Sequence, residues 1–277
     1  MNTYRLLLIA GLVSLLLGCQ QTNYEQEGMS EETVALLKKL KPRQSTRGQF
    51  NLYYPASSVA AGQLDQVEES LKQSKAKVLG LLQEPAYDET INVLLVDSEE
   101  EAAELTQFAR REFTVPPDHF SIIVMDGERE PYFTRAIFKM MSVDFWGEPR
   151  DLMMFEGGAV FAQGSCLPID EPLYQIPAHA RAQGEICSVR GLILNFSDCA
   201  SERPVTTYMQ AGSVFRLLFD GFGRDNTERI WTGGIRNIER IVGMAPIELE
   251  KEWTYVMENV TLGEPLDLEA INQSGCL

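Results

Sequence analysis

Residues 131–164 read PYFTRAIFKMMSVDFWGEPRDLMMFEGGAVFAQG, and their pattern decides the fold. Apolar side chains recur at Phe133, Ile137, Met140 and Met141, the spacing of one helix face. Gly147 and Pro149 interrupt the run and mark a turn. A second apolar helical segment follows. In it Met153, Met154, Val160 and Phe161 surround the triplet Glu156-Gly157-Gly158.

This pair of helices resembles the metal-site core of the gluzincin-type metallopeptidases, the peptidase MA-like group. There a helix bearing H-E-x-x-H precedes a second helix whose E-G or E-G-x-A supplies the third zinc ligand. The second half is present as Glu156-Gly157-Gly158-Ala159; the first half is not. The best register sets Thr134, Arg135, Ala136, Ile137 and Phe138 where H-E-x-x-H would stand. A catalytic zinc needs three protein ligands and an open water position. Threonine and phenylalanine do not replace imidazoles, and a guanidinium stays protonated and is no general base. The resemblance thus implies a pseudoenzyme with no catalytic residues, no metal ligands and no cofactor, its zinc site lost. It also suggests that Arg135 takes the place of the lost metal and pairs with Glu156, because a buried lone carboxylate is costly. The alternative is a solvated face formed by Arg135 and Lys139. The chain holds two histidines, His119 and His179. An enzyme with a relocated metal site would have to assemble them with Glu156 from remote loops.

Upstream, Gln49–Tyr54 alternates as a strand, Gln63 to Leu82 is amphipathic, and Ile91–Val96 is a continuous apolar strand. Ser98 with Glu101 forms a capping box opening a helix to about Arg111. Phe120–Met125 is a third strand. The order β-α-β-α-β and the phrases QFNLYYP and INVLLV also resemble the amino-terminal half of the peptidase MA-like domains. In that group the strand before the active-site helix lies at the sheet edge and holds extended substrate. The equivalent here would be His119–Met125, offering open backbone groups unless a loop covers it.

Downstream, Ser165 to Pro204 is irregular and holds Cys166, Cys187 and Cys199. With Cys276 these make four cysteines that an oxidising compartment can pair. The expectation is one disulfide within 166–199 and a second from Cys276 to the remaining cysteine. His179 is expected at the surface. Residues 206–223 read as a helix stopped near Gly221 and Gly223. This helix resembles the one that follows E-G in the same family, which implies that Tyr208 overlooks the former cleft; a packed aromatic is the plainer reading. Pro246 starts a last helix, with Trp253 in the core. The tail from Thr261 reads as loop.

At the amino end, Arg5 precedes a short apolar core from Leu6 to Leu17, too short to span a bilayer. Leu16-Leu17-Gly18-Cys19 resembles the lipobox of bacterial lipoproteins, which implies cleavage before Cys19, acylation there, and delivery to the outer membrane, facing periplasm or surface. The net charge is −16, and loss of residues 1–18 takes away only Arg5, leaving −17. That balance opposes nucleic-acid binding, and no Gly-rich phosphate loop points to a nucleotide.

The sequence therefore divides into a lipoprotein signal (1–18), a tether (19–47), a peptidase MA-like domain (48–260) and a tail (261–277). The expected class is α+β: a small mixed sheet with helices over about 48–130, then a mainly helical lobe over about 131–260, as in gluzincins and thermolysin. The expected function is a lipid-anchored envelope module that binds a peptide or protein. The alternatives are an active metallopeptidase with a non-standard metal site and a purely structural lipoprotein.

Overall fold

The computed structural model describes residues 29–107, 110–164 and 167–276. Cys19 and Cys166, and with them the signal, lie outside the described residues. The class is α+β. Five strands form one mixed sheet: β1 (Arg43–Arg47), β2 (Phe50–Tyr54), β3 (Ile91–Val96), β4 (Glu112–Val115) and β5 (Phe120–Val124). Their spatial order is β1-β2-β3-β5-β4, with the central pairs β2–β3 and β3–β5 parallel and both edge strands antiparallel to their neighbours.

Strand periodicity splits the sheet's side chains between two faces. Tyr53, Leu94, Val96, Phe120, Ile122 and Val124 pack with Val34 and Leu37 of α1 (Glu31–Leu40) and Ala102 of α3 (Glu99–Thr106). Leu52, Tyr54, Val93, Leu95 and Ile123 face the other way, onto α2 (Leu64–Leu82) and α4 (Phe133–Trp146). That second layer continues into the helical region, so α4 is buried along most of its length.

Downstream come α5 (Leu152–Gln163), α6 (Pro172–Gln183), α7 (Val189–Leu194), α8 (Phe196–Glu202), α9 (Pro204–Gly233), α10 (Ile238–Val242), α11 (Pro246–Glu258) and α12 (Leu268–Gln273). The turn between α4 and α5 is held by the far end of α9. Trp231 Nε1 donates to Gly147 O at 2.7 Å, and Asp151 Oδ2 accepts from Ile235 N at 2.7 Å. Trp253 of α11 is buried and donates to Ser213 Oγ at 2.8 Å.

Several boundaries differ from the sequence reading. The folded unit starts before residue 48: α1 is docked through Ser30 Oγ to Asp118 Oδ2 at 2.6 Å, and β1 pairs residue for residue with β2. RQSTR has no apolar alternation because β1 is a polar edge strand. The helix opened by Ser98 ends at Thr106, capped by Gln107 in a left-handed conformation, and β4 follows. That extra strand makes β5 an interior strand, so the open edge is β4 and not His119–Met125. Residues 172–202, read as irregular, are three helices; Pro172 begins α6, and Pro177 sits inside it. Proline breaks a helix by removing one hydrogen bond, but here tertiary burial on both sides of Pro177 outweighs that loss. The helix over 206–223 does break at Gly223 (φ 77°), yet helical structure resumes to Gly233. The tail carries α12, whose Asn272 Oδ1 caps Thr206 N at 3.0 Å.

Cys187 and Cys199 form a disulfide across α7 and α8, and Cys276 is disulfide-bonded as well. Among the described residues no helix is long and apolar enough to cross a membrane.

Candidate functional site

The site is built where α4 and α5 meet β4. The end of α5 is clipped to the start of α4: the Gln163 side chain accepts from Arg135 N and donates to Pro131 O, each at 3.1 Å. Glycine sets the approach of α5 to its neighbours. A Cβ on Gly157 would stand 2.6 Å from the Ala211 carbonyl oxygen of α9, and one on Gly158 would stand 2.6 Å from the Phe138 ring. So the two glycines after Glu156 let α5 lie against α9 and α4, and Glu156 is carried into the interior.

Helical geometry places residues four apart on one face, and on α4 the face toward Glu156 carries Arg135 and Lys139. Lys139 Nζ is 2.9 Å from Glu156 Oε2 and 2.8 Å from Glu112 Oε2. Arg135 Nη2 approaches Glu156 Oε2 at 3.6 Å, and Arg110 Nη1 approaches Oε1 at 3.6 Å. Arg135 and Lys139 are buried, which excludes a solvated helix face. The Lys139–Glu156 contact is close, but its angles fall outside hydrogen-bond geometry, whereas Lys139 donates properly to Glu112. Thr114 also donates to Glu112. Burial raises the Glu112 carboxyl, but Lys139 and then Arg135 outweigh it and hold the group below its ordinary range. Two cations and two carboxylates thus neutralise one another inside the protein, which is how buried charge is tolerated.

Thr134 and Phe138, which the resemblance set in the place of the two histidines, do not contact Glu156. Thr134 turns to Ser74 of α2, with 3.0 Å between hydroxyls. Phe138 sits edge-on to Trp146, Phe215 and Trp231. Lys139 and Glu112 were missed for different reasons. Lys139 carries the i+4 spacing from Arg135, a usable signal. Glu112 lies in a strand too short to show alternation.

Tyr208 of α9 is a packed aromatic that also borders a cleft. It packs on Phe196 at 5.2 Å between centroids, and it lines a cleft of about 390 Å³. Arg110, Ser197, Ser201, Asn272 and Gln273 also line that cleft. The guanidinium carbons of Arg110 and Arg135 each lie 5.7 Å from the Tyr208 ring centroid, within cation–π range. Burial raises the Tyr208 hydroxyl well above its ordinary value, with Glu156 adding to the effect, so it stays protonated.

The histidines are elsewhere. His119 caps a turn in a left-handed conformation and its Nε2 is 2.9 Å from Asp144 Oδ2, which Tyr87 also contacts at 2.6 Å. His179 is buried in α6, not at the surface, because that segment is a packed helix. Among the described residues no group of three His, Cys, Asp or Glu is arranged to hold a metal ion.

The His119–Asp144 pair makes stability depend on pH. The Asp144 hydrogen bond raises the His119 imidazole above its ordinary value despite burial. Such a group contributes stability that is full below its unfolded pKa, about 6.5, and is lost as pH rises through its higher folded pKa. Burial raises Asp144, but the bonds from His119 and Tyr87 outweigh it and lower the group. Its contribution is present above about 3.9 and lost as pH falls through the lower folded pKa. Urea denaturation as a function of pH should therefore show His119→Asn removing a loss of stability that begins near neutrality. Identical slopes for wild type and variant above pH 6.5 would show that the pair contributes nothing.

Comparison of the chain with protein-family models, curated proteins and solved structures finds no match to any of the three.

Proposed function

We propose that this chain is a lipid-anchored protein of the bacterial envelope, of gluzincin-like build, that binds a peptide or protein segment in the cleft beside β4 and does not hydrolyse it. One observation carries the reading: the two α4 residues that face Glu156, four apart, are Arg135 and Lys139. In the peptidase MA-like group that spacing belongs to the two histidines that bind zinc with the E-G glutamate. Here two fixed cations occupy it, and the residue after the first is Ala136, a methyl group where a general base would be needed. The carboxylate that would ligate metal is instead neutralised by protein cations.

The edge strand supports binding. Val124 N donates to Arg111 O, which sets the alternation of the β4–β5 ladder. By that alternation the backbone groups of Glu112 and Thr114 point away from the sheet. Among the described residues no strand pairs with that side. Open strand groups beside a cleft suit an extended peptide, which adds as a further strand.

The test has two arms on the full chain. In the envelope, a photo-crosslinking residue at exposed Ser201, on the cleft rim, should capture a reproducible partner, identified by mass spectrometry. Stoichiometric zinc in the purified protein, removed by chelator together with peptidase activity, would sink the reading in favour of an enzyme. Labelling with a palmitate analogue should mark the wild type, and Cys19→Ala should abolish it; persistent label would remove the lipid anchor from the proposal.

A further inference from the structure

Behind the cleft lie buried donors with nothing to donate to. Arg135 is 3 % exposed, and its Nε and Nη1 make no hydrogen bond. The Tyr132 hydroxyl is also without a partner, in a residue 1 % exposed. Arg111 turns Nη1 to Asp126 at 2.7 Å and Glu99 at 3.3 Å, leaving Nε and Nη2 without acceptors. These side chains are neighbours. The Arg135 guanidinium lies over the Tyr132 ring at 5.0 Å, and Arg111 acts electrostatically on the Tyr132 hydroxyl.

Native proteins satisfy nearly all buried polar groups, and each orphan costs about 1–3 kcal/mol. Glu156 does not relieve this corner. It approaches both Arg135 and Arg110 at 3.6 Å, beyond hydrogen-bond range, and its nearer partner is Lys139 at 2.9 Å. One acceptor here, Glu156 Oε2, also makes no hydrogen bond, against five orphaned donors on Arg135, Arg111 and Tyr132, so the surplus is one of N–H and O–H groups. What the corner lacks is a further acceptor with several lone pairs. Arg110 stands between this corner and solvent, its side chain 43 % exposed at the cleft.

We propose that the cleft receives a carboxylate of a peptide ligand, bound by Arg110 and Arg135 with the Tyr132 hydroxyl as a further donor. The inference rests on the peptide-binding reading above and names what that site selects. A planar carboxylate matches a guanidinium fork with two parallel hydrogen bonds. Burial keeps the Tyr132 hydroxyl protonated, hence a donor. The chain as a whole is strongly acidic, so an anion is held here by local donors and not by the protein's overall field. The carboxylate can come from a peptide's carboxyl terminus or from an Asp or Glu side chain.

The test is calorimetric titration of the full chain with three probes: acetyl-trialanine as the free acid, the same peptide as its carboxyl-terminal amide, and an amide with a central aspartate. The free acid, the aspartate peptide, or both should bind about tenfold or more tightly than the plain amide; which one does identifies the source. Arg110→Gln, whose exposed position keeps the fold safe, and Arg135→Gln should each erase that preference. Equal affinity for all three probes overturns the carboxylate inference and leaves the peptide reading intact. A preference that survives in Arg110→Gln overturns it too. If none of the three binds, both readings fall.

Discussion

Lys139→Ala is expected to lower the free energy of unfolding by about 3–5 kcal/mol, the cost of leaving buried charge without its partner. The Lys139 ammonium sits 2.8 Å from Glu112 and 2.9 Å from Glu156, and all three residues are buried. Its loss leaves Glu112 without the cation that donates to it, and Glu156 with only Arg135 and the part-exposed Arg110, each at 3.6 Å. One carboxylate must then take up a proton, so the loss should shrink as pH falls toward the carboxylate range. Lys139→Met combined with Glu112→Gln removes one charge of each sign and keeps much of the volume, so it should recover most of the loss. Urea denaturation of the three proteins at pH 7 decides the matter. A loss below about 1 kcal/mol in Lys139→Ala would match an exposed pair and would remove the buried network from this account.

The second large effect belongs to Gly157. An added methyl would meet the Ala211 carbonyl oxygen at 2.6 Å, a backbone atom held in the middle of α9. Alanine is favoured over glycine in a helix by about 1 kcal/mol, but forcing α5 off α9 costs about 1–3 kcal/mol or more through strain. Gly157→Ala should therefore be net destabilising by about 1–2 kcal/mol, and Gly157→Val more so. Because α5 carries Glu156, the same variant should widen the contacts of Glu156 with Lys139 and Arg135. Gly80, exposed near the end of α2 with nothing within 4 Å of its would-be Cβ, is the control. Gly80→Ala should be neutral or stabilising by up to about 1 kcal/mol. Thermal unfolding compares the two; a stabilised Gly157→Ala would show that the helices do not meet as described.

Much of the architecture was legible because it rests on local signals. The strands Phe50–Tyr54, Ile91–Val96 and Phe120–Val124 are apolar runs bounded by turns, and α2, α4 and α5 repeat at helical spacing. Ser98 accepts from Glu101 N at 3.1 Å as its position suggests. The Glu101 carboxylate bonds Asp97 N, one residue earlier than a strict capping box. What escaped notice has weak local signal. β1 is a polar edge and β4 an edge of only four residues, and both exist because a neighbouring strand offers hydrogen bonds. The α6 helix holds a proline that local propensity forbids and packing tolerates.

The site divides the same way. The sequence by itself determined that Glu156 stands in an apolar helix beside two glycines, and that no H-E-x-x-H lies on the helix before it. It also determined that Arg135 and Lys139 lie four apart, hence on one face. Only the tertiary structure decided which face that is. A helix repeats about every 3.6 residues, so a rotation of one residue exchanges Thr134 and Phe138 for Arg135 and Lys139, and both pairs satisfy the same spacing. The rotation is set by Phe138 among three aromatic rings and by Thr134 against α2, contacts from segments far apart in the chain. Glu112 and Arg110 likewise enter the site through β4, whose pairing with β5 depends on residues on both strands and not on the sequence of either alone.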